Sequence, residues 1–175
     1  MKILVTGTPG SGKTTLVEHA NSQNNMRFFD ADSIVGLCEW REFKTGELLG
    51  LVTEYKATDG DAWYSKYGWY WNQNFLYEFL TNNPDVILSG SSENIVDCYI
   101  YFDKIFILRK TEKELLANLQ SPERTNPFGK TPEQRKNFLN WQDYLTKEAE
   151  KYYHAIIEGN DIKLLYQSIQ ELIKK

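Results

Sequence analysis

Short apolar runs, separated by polar and amphipathic stretches, recur along the whole chain. The runs predict buried strands at 2–6, 26–29, 86–88 and 104–108, with a fifth candidate at 155–157. Strands that alternate with helices form a parallel sheet covered by helices on both faces. We therefore expect an α/β fold with a five-stranded parallel sheet, in which ligands bind at the carboxyl ends of the strands.

The stretch 161–174 has the clearest helical stripe. Its apolar positions recur three or four residues apart: Ile162, Leu165, Tyr166, Ile169, Leu172 and Ile173. Further helices are predicted at 13–23, 69–81, 111–119 and from Thr131 onward.

Two of these helices begin with the spacing of a capping box. Thr111 is followed three residues later by Glu114, and Thr131 in the same way by Gln134. Residues 33–68 are polar and aromatic with scattered glycines, and we expect one or two short helices there.

Composition limits the class of protein. With 175 residues and 41% hydrophobic positions, the chain is expected to form a single domain, 1–175, with a real core. No apolar run reaches the roughly 18–20 residues of a membrane helix, and the apolar start is too short for a signal peptide. We therefore expect a cytoplasmic protein that binds no membrane, as a monomer or homodimer.

Charge and cysteine content exclude further classes. The net charge is −4 and the pI is about 5.3, which argues against broad nucleic-acid binding. Cys38 and Cys98 stand alone, without a CxxC motif, so neither a zinc site nor a disulfide scaffold is expected.

A complete phosphate-binding pattern, G-x-x-x-x-G-K-[ST], follows the first strand. It comprises Gly7, Thr8, Pro9, Gly10, Ser11, Gly12, Lys13 and Thr14, and Thr15 continues into the helix. Glycines let phosphate oxygens approach backbone N–H groups, and the helix start adds a positive dipole end. Lys13 is expected to bind the β- and γ-phosphates and Thr14 to ligate Mg²⁺. Because no Asn-Lys-x-Asp guanine signature occurs, we expect ATP rather than GTP.

Two carboxylates, Asp30 and Asp32, follow the second strand. One could hold Mg²⁺ and the other could accept a proton from an attacking hydroxyl. Which acid has which role is open, and Asp32 could instead cap a helix that starts near Ser33.

The third strand ends in small residues instead of an acid. Ser89 is a candidate for a metal-bound water, Gly90 and Ser91 offer N–H groups to an acceptor, and Glu93 is the nearest carboxylate. An ordinary strand-to-helix turn explains the same residues.

The polar loop 121–130, which we call the lid loop, contains Arg124 and Lys130. Either cation could close over a triphosphate and exclude water, with Arg124 the stronger candidate and Arg109 a weaker one. The alternative is a solvated surface turn.

Trp63, Tyr64, Tyr67, Trp69, Tyr70 and Trp71 crowd into nine positions. They could stack a planar acceptor such as a base, or pack a small subdomain. Arg41 and Lys44 lie in the same segment, 33–82, which we call the acceptor insertion, and could hold an anionic acceptor.

Together these motifs resemble the nucleoside-monophosphate-kinase and shikimate-kinase group of P-loop proteins. In shikimate kinase the first acid of Asp-x-Asp helps to hold Mg²⁺ and the second touches the acceptor, which implies these roles for Asp30 and Asp32. Ser89, Gly90 and Ser91 stand where that family has a glycine triplet. Arg41 is the sole candidate in the insertion for its acceptor-binding arginines.

Two further likenesses concern other parts of the chain. A set of bacterial ATP-binding, kinase-like proteins is similar in five places: Gly68-Trp69, Ser89-Gly90, Asn94, Phe102-Asp103 and 126–130. Adenylate-kinase-like nuclear ATPases are similar at 7–10 and 102–109. The long lid and acidic third strand of adenylate kinase itself are missing here.

The resemblance implies an ATP- and Mg²⁺-dependent kinase that phosphorylates a small molecule, either a nucleoside or nucleotide or a shikimate-like hydroxyl compound. The alternative is an ATPase or nucleotide switch that acts on a macromolecular partner. A kinase must enclose its acceptor, so the insertion and the short lid loop favour the first hypothesis.

Overall fold

The computed structural model describes residues 1–25, 27–49, 60–124, 126, 128–152 and 154–174. The elements, in chain order, are β1 Lys2–Thr6, α1 Lys13–Ser22, β2 Phe28–Asp30, β3 Cys38–Glu42, α2 Gly60–Tyr64, β4 Tyr67–Trp71, α3 Gln73–Asn82, β5 Val86–Ser89, β6 Lys104–Arg109, α4 Glu112–Gln120, α5 Pro132–Lys151, β7 Ala155–Glu158 and α6 Ile162–Lys174.

Five parallel strands form the main sheet, in the order β2-β5-β1-β6-β7. The predicted α/β fold and its five-stranded parallel sheet are therefore confirmed. β1 lies in the centre, between β5 and β6. Because all strands run the same way, the phosphate loop after β1, Asp30 at the end of β2 and Ser89 at the end of β5 meet at one edge.

Alternate residues of the strands build two cores, one on each face of the sheet. Leu4 and Leu88 pack with α3 and α5, whereas Val5 and Ile87 pack with α1 and α6. The apolar stripe predicted for α6 packs against the sheet, since Leu165 and its apolar neighbours belong to the core that contains Val5 and Ile87. The result is the three-layer arrangement that the alternating pattern predicts.

The predicted helix at 69–81 is wrong in its first part. Tyr67–Trp71 form β4, which pairs antiparallel with β3 in a separate two-stranded sheet. The helix begins only at Gln73, where the Asn72 side chain accepts from Phe75 N over 3.1 Å. Aromatic residues favour strands when a partner strand lies opposite, and β3 supplies that partner.

The expectation of one or two short helices in 33–68 is met by α2, while β3 and β4, which residues 43–66 connect, add a two-stranded antiparallel unit, here called the β3–β4 hairpin, that was not expected. The described part of this segment contains one α-helix, α2, and the stretch 50–59 lies outside the described residues. Side chains alternate across the hairpin, so Trp40 and Trp69 share one face while Arg41 and Gly68 share the other.

The two predicted capping boxes have different outcomes. Thr111 and Glu114 form the complete reciprocal box at the start of α4. Thr131 caps α5 by accepting from Gln134 N over 3.1 Å. The Gln134 side chain, however, bonds to the lid loop and to α2 instead of returning to the cap.

Within the described ranges, we find no helix that combines the length and the apolar character needed to cross a membrane.

Candidate active site

The loop between β1 and α1 has a fixed shape that depends on glycine. Gly10 and Gly12 have φ angles of 88° and 97°, a region that glycine adopts readily. A Cβ atom at Gly10 would lie 3.0 Å from Leu119 Cδ2, so α4 packs directly against the loop. The Asn118 side chain also donates to Gly10 O over 2.9 Å. Contacts from α4 thus hold the loop in place.

The first turn of α1 has no side-chain cap. Gly12 occupies the N-cap position and supplies no acceptor, so the turn's N–H groups remain available to a ligand. Thr14 and Thr15 are exposed in the same turn. Together with the positive end of the helix dipole, this arrangement suits a phosphate group.

Lys13 folds back over the loop. Its ammonium donates to Gly7 O over 2.6 Å and to Thr8 O over 3.0 Å. Burial lowers the pKa of Lys13 from 10.5 to about 8; the charges of Asp32 and Asp30 oppose this shift, and Arg124 adds to it. The structure therefore brings together the four residues that the sequence assigned to catalysis: Lys13, Asp30, Asp32 and Arg124.

The two acids after β2 have different surroundings. Asp30 accepts from Asp32 N over 3.1 Å and caps the single turn 31–33. The alternative that Asp32 is the capping residue is therefore wrong. Asp32 instead accepts from Trp69 Nε1 over 3.0 Å and from the Cys38 thiol over 3.7 Å.

The environment of Asp32 suits a proton acceptor. Loss of hydration raises the pKa of its carboxyl, and the negative charge of Asp30 raises it further. The hydrogen bonds from Trp69 and Cys38 and the charge of Lys13 oppose this rise. A carboxylate with a raised pKa is a stronger base, as proton transfer from a hydroxyl requires.

The end of β5 only partly fits its predicted role. Gly90 N donates to Val5 O over 3.1 Å, so the prediction that this N–H is free for an acceptor is wrong. Gly90 is needed for packing, since a Cβ atom there would lie 2.6 Å from both Ala31 Cβ and Trp71 Cζ2. The Ser91 hydroxyl accepts from Trp141 Nε1 over 3.4 Å. A role for Ser91 in acceptor binding stays a prediction.

Two buried hydroxyls at this edge fit a bound ligand. Ser11 Oγ and Ser89 Oγ are buried and have no hydrogen-bond partner among the described residues. Ser89 pairs with Asp30 in the sheet register. Because the described residues form no group of three metal-binding side chains, Mg²⁺ would depend on Thr14, Asp30 and oxygens of phosphate and water, which is its usual environment in phosphate sites.

Arg41 does not face this site. It lies on the opposite face of the hairpin from Trp69 and is paired with Glu39, to which its Nε donates over 2.7 Å. Glu93 packs against Gly68 on that same face. The expectation that Arg41 holds an anionic acceptor beside Asp32 therefore lacks structural support.

The lid loop is docked rather than free. Arg124 donates through its guanidinium to Phe128 O over 3.4 Å, and within the described residues no carboxylate lies within 4.0 Å of that guanidinium. Gly129 is buried, and a Cβ atom there would lie 2.7 Å from Leu119 Cδ2. Arg124 is thus a half-buried cation whose charge lowers the pKa of Lys13. Its guanidinium therefore lies close to Lys13, as a phosphate-binding role requires.

The aromatic residues of the insertion contact one another. Trp40 lies with ring centroids 5.0 Å from Trp69 and 5.7 Å from Trp63, and Trp63 lies 4.5 Å from Tyr67. Trp40 also contacts Phe128 of the lid loop, at 6.4 Å. Ring packing, one of the two predicted alternatives, thus involves Trp63, Tyr67 and Trp69 of the predicted cluster together with Trp40. The side chain of Tyr64 is outside the described part.

Sequence analysis missed Lys110, which directly follows β6. Its side chain is 3% exposed, and its ammonium donates to Gly159 O. Burial lowers the pKa of Lys110, and the charge of Glu114 opposes this shift. A Cβ atom at Gly12 would lie 3.9 Å from Lys110 Nζ, so a second cation stands behind the phosphate loop. The available signal was a lysine at the carboxyl end of a buried strand.

A cavity of about 600 Å³ opens beside Lys110, at the ends of β6 and β7. Arg109 lines it and forms a 3.3 Å ion pair with Glu158. Arg109 was the weaker of the two arginines predicted to bind phosphate, and it is paired here with Glu158. Arg124 is therefore the better candidate for binding phosphate.

No protein-family model and no curated protein sequence matches this chain. Solved structures do match it. Shikimate kinase from Acinetobacter baumannii in complex with shikimate has a TM-score of 0.63 at 18% identity, over 99% of this chain and 92% of that one. Deoxyadenosine kinase from M. mycoides with bound dATP has a TM-score of 0.62 at 13% identity, over 100% of both chains. Shikimate kinase from Bacteroides thetaiotaomicron has a TM-score of 0.53 at 19% identity, over 100% and 99%.

These likenesses define the fold. The chain has the α/β P-loop fold of the shikimate and deoxyadenosine kinases, and the resemblance to the nucleoside-monophosphate-kinase and shikimate-kinase group is confirmed at that level. At 13–19% identity, activity has to be argued from the site itself.

Proposed function

We propose that this protein is a small-molecule kinase that transfers the γ-phosphate of ATP to a hydroxyl group of its acceptor. The observation that carries the proposal is the electrostatic environment of Lys13. Its ammonium lies in the phosphate loop. The charges of Asp30 and Asp32, after β2, and of Arg124, in the lid loop, all act on it. Phosphoryl transfer needs such convergence, because its catalysis is mainly positioning and charge stabilisation.

In this proposal the phosphate loop binds the triphosphate. Backbone N–H groups at the start of α1 and the ammonium of Lys13 contact the β- and γ-phosphates. To do so, Lys13 exchanges its present carbonyl partners, Gly7 O and Thr8 O, for phosphate oxygens. Thr14 and Asp30 would hold Mg²⁺ with Ser89 nearby. The ion, when bound, neutralises charge that develops on the phosphates.

Asp32 acts as the base and orients the acceptor. The acceptor oxygen attacks the γ-phosphorus, the bond from that phosphorus to the bridging oxygen of ADP breaks, and the hydroxyl proton passes to Asp32. The products are a phosphorylated acceptor and ADP. The raised pKa of Asp32 supports this assignment, and the hydrogen bond from Trp69 fixes the orientation of its carboxylate.

Arg124 stabilises the charge on the transferred phosphoryl group. Loss of hydration lowers the pKa of its guanidinium, which nevertheless stays charged at neutral pH. With a backbone carbonyl as its described partner, it is free to bind phosphate oxygens. A cation held in a site with little water acts more strongly than one in solvent.

The charges around Asp32 point to an acceptor without a carboxylate at its reactive end. Among the described residues, Lys13 is the cation whose charge acts on Asp32, and it is committed to phosphate. Arg41 is neutralised by Glu39. An uncharged hydroxyl compound, such as a nucleoside or a sugar, fits this environment better than a shikimate-like acid.

An ADP-release screen tests the proposal. The protein is incubated with ATP and Mg²⁺ against nucleosides, nucleotides, sugars and cyclic hydroxy acids, and the products are analysed by mass spectrometry. The expected result is ADP release that depends on one acceptor class and yields its phosphorylated form. ADP release at the same rate with and without every acceptor would instead support an ATPase or nucleotide switch. The variant Lys13→Ala controls for contaminating kinases.

A further inference from the structure

The side chain of Gln134 connects two parts of the molecule that are distant in sequence. It is 5% exposed, in the first turn of α5. Its Oε1 accepts from Gly129 N over 2.8 Å and from Lys130 N over 3.1 Å, at the end of the lid loop. Its Nε2 donates to Asp61 Oδ1 over 3.0 Å, in α2 of the acceptor insertion. One buried amide thus uses both of its ends to join the insertion to the lid loop.

Asp61 receives a second hydrogen bond from the same region. Thr131 Oγ1 donates to Asp61 Oδ1 over 2.9 Å. A hydrogen bond to a carboxylate is stronger than one between neutral groups. Although Asp61 is exposed at the start of α2, its Oδ1 is therefore fixed by two donors from the helix that follows the lid loop.

An aromatic contact joins the same two parts at a second place. Phe128, in the lid loop, contacts Trp40 of β3, and Trp40 contacts Trp69 of β4. Trp69 in turn donates to the carboxylate of Asp32. On the lid side, the carbonyl of Phe128 accepts from the guanidinium of Arg124. A continuous set of contacts thus runs from Asp32 to Arg124.

We propose that Gln134 is a positioning residue that makes the acceptor insertion and the lid loop one cooperative unit. The proposal rests on the proposed function for its meaning. If the acceptor lies beside Asp32 and Arg124 binds the γ-phosphate, then ordering the insertion around the acceptor also places Arg124. Binding of acceptor and ATP is then mutually favourable, because such coupling is reciprocal.

The chemical consequence of this coupling is that water competes poorly with the acceptor for the γ-phosphate. While the insertion is unoccupied, a lid loop tied to it is less firmly held over the phosphates, and Arg124 is less often in place. Hydrolysis of ATP without an acceptor is then slow. Gln134 does not touch the reacting atoms in this scheme and acts only through Gly129, Lys130 and Asp61.

Amide hydrogen exchange on the ligand-free protein tests the connection directly. In Gln134→Leu, the amides of Ser65 and Lys66, which close α2 by bonds to Asp61 O and Trp63 O, are expected to exchange about fivefold faster or more. In Asp61→Leu, a change in α2, the amides of Gly129 and Lys130 should exchange faster by a similar factor. Asp61→Asn keeps an oxygen acceptor and should stay close to wild type.

Gln142→Leu is the matched control. Gln142 is also 5% exposed on α5, but its amide bonds to the backbone of Lys110. Its loss removes a buried glutamine without touching the insertion, so exchange at Ser65 and Lys66 should not change. Equal acceleration in both glutamine variants would overturn the proposal, because it would show general loosening of α5. No acceleration in either Gln134→Leu or Asp61→Leu would also overturn it.

A second measurement adds a non-hydrolysable ATP analogue with Mg²⁺. In wild type the analogue should slow exchange both at 128–130 and in α2, whereas in Gln134→Leu it should slow only the lid loop. Protection of α2 that survives in Gln134→Leu contradicts the proposal. If the analogue does not bind wild type at all, the proposed function fails, while the ligand-free comparison still decides whether Gln134 joins the two parts. Should Gln134→Leu fail to fold, Asp61→Leu against Asp61→Asn makes the same comparison.

Discussion

Trp69 Nε1 donates a hydrogen bond to Asp32 Oδ1 over 3.0 Å, across 37 residues of sequence. This bond joins the acceptor insertion to the acid that we assign as the base. It favours the charged form of Asp32 and thereby limits the rise in pKa that loss of hydration causes. The insertion thus controls the basicity of a group that lies outside it.

The first prediction concerns the pH dependence that this bond sets. A base must be deprotonated to act, so activity is lost as pH falls through the pKa of Asp32. Trp69→Phe removes a bond that lowers this pKa, and the acidic limb of the kcat/KM profile should therefore move to higher pH. Asp32→Asn should lower kcat by about 10²-fold or more at pH values above the pKa of Asp32, where the wild-type carboxylate can act as a base.

Trp141→Phe provides the control for this experiment. It also loses one indole N–H bond, but to Ser91 Oγ instead of Asp32, so the acidic limb should stay in place whatever happens to kcat. If Trp69→Phe leaves the limb unmoved while lowering kcat, the indole only packs and does not tune Asp32.

The second prediction concerns proton uptake by Lys13. Its pKa is about 8 in the ligand-free protein, and triphosphate should raise it by favouring the ammonium. Binding above pH 8 should therefore take up a proton. Affinity for an ATP analogue should be full below pH 8 and should fall as pH rises from there through the pKa of the bound form. Calorimetry in buffers of different ionisation enthalpy measures this uptake.

Lys13→Met should bind the analogue more weakly and take up no proton through this site, and it should not turn over. Lys113→Met changes an exposed lysine on α4 and should retain the uptake. Proton uptake that persists in Lys13→Met would assign the linkage to another group.

The third prediction separates the two acids by their response to metal. Asp30→Asn should lower kcat by about 10²-fold, as for loss of a metal anchor, and excess Mg²⁺ should restore part of the activity. Asp32→Asn should not respond to Mg²⁺, because it lacks the proton acceptor. Steady-state kinetics across a Mg²⁺ titration distinguish them. Rescue of Asp32→Asn alone would exchange the two roles, and near-normal kcat in both variants would reduce the pair to a turn cap.

The fourth prediction concerns Arg124 and the lid loop. Arg124→Ala should lower kcat more than it weakens ATP binding, because a guanidinium aimed at developing charge acts mainly in the transition state. Arg124→Lys keeps the charge but loses the planar fork, and should recover only part of the rate. If Arg124→Ala changes only KM, residues 121–130 are an ordinary surface turn and not a lid. Exchange in this loop should also slow when an ATP analogue and acceptor bind.

Local chemistry made much of the fold predictable. The apolar runs indicated the strands of the parallel sheet, and the apolar stripe of α6 indicated a helix packed on that sheet. Both predictions work because the buried positions of a strand or a helix recur with the period of that element. The phosphate loop was equally clear, since glycine spacing, Lys13 and Thr14 are all local features. The capping box of Thr111 and Glu114 formed as expected, because both of its bonds lie within one turn.

The errors arose where a distant partner decided the outcome. Residues 67–71 became β4 because β3 lies opposite, and no local pattern reveals that pairing. Arg41 was a plausible ligand for an anion until the alternation of the hairpin placed it on the far face, beside Glu39. The role of Lys110 depends on Gly159, which only the parallel pairing of β6 with β7 brings close.

Gln134 shows most clearly which features local sequence determines and which depend on the tertiary structure. By itself the sequence determined that Thr131 caps α5 and that an amide three residues later could complete the box, because those positions are neighbours on any helix. Only the tertiary structure decided that this amide serves Gly129, Lys130 and Asp61 instead. Local spacing fixes which groups can bond, whereas the choice among partners depends on which elements the fold brings within hydrogen-bonding distance.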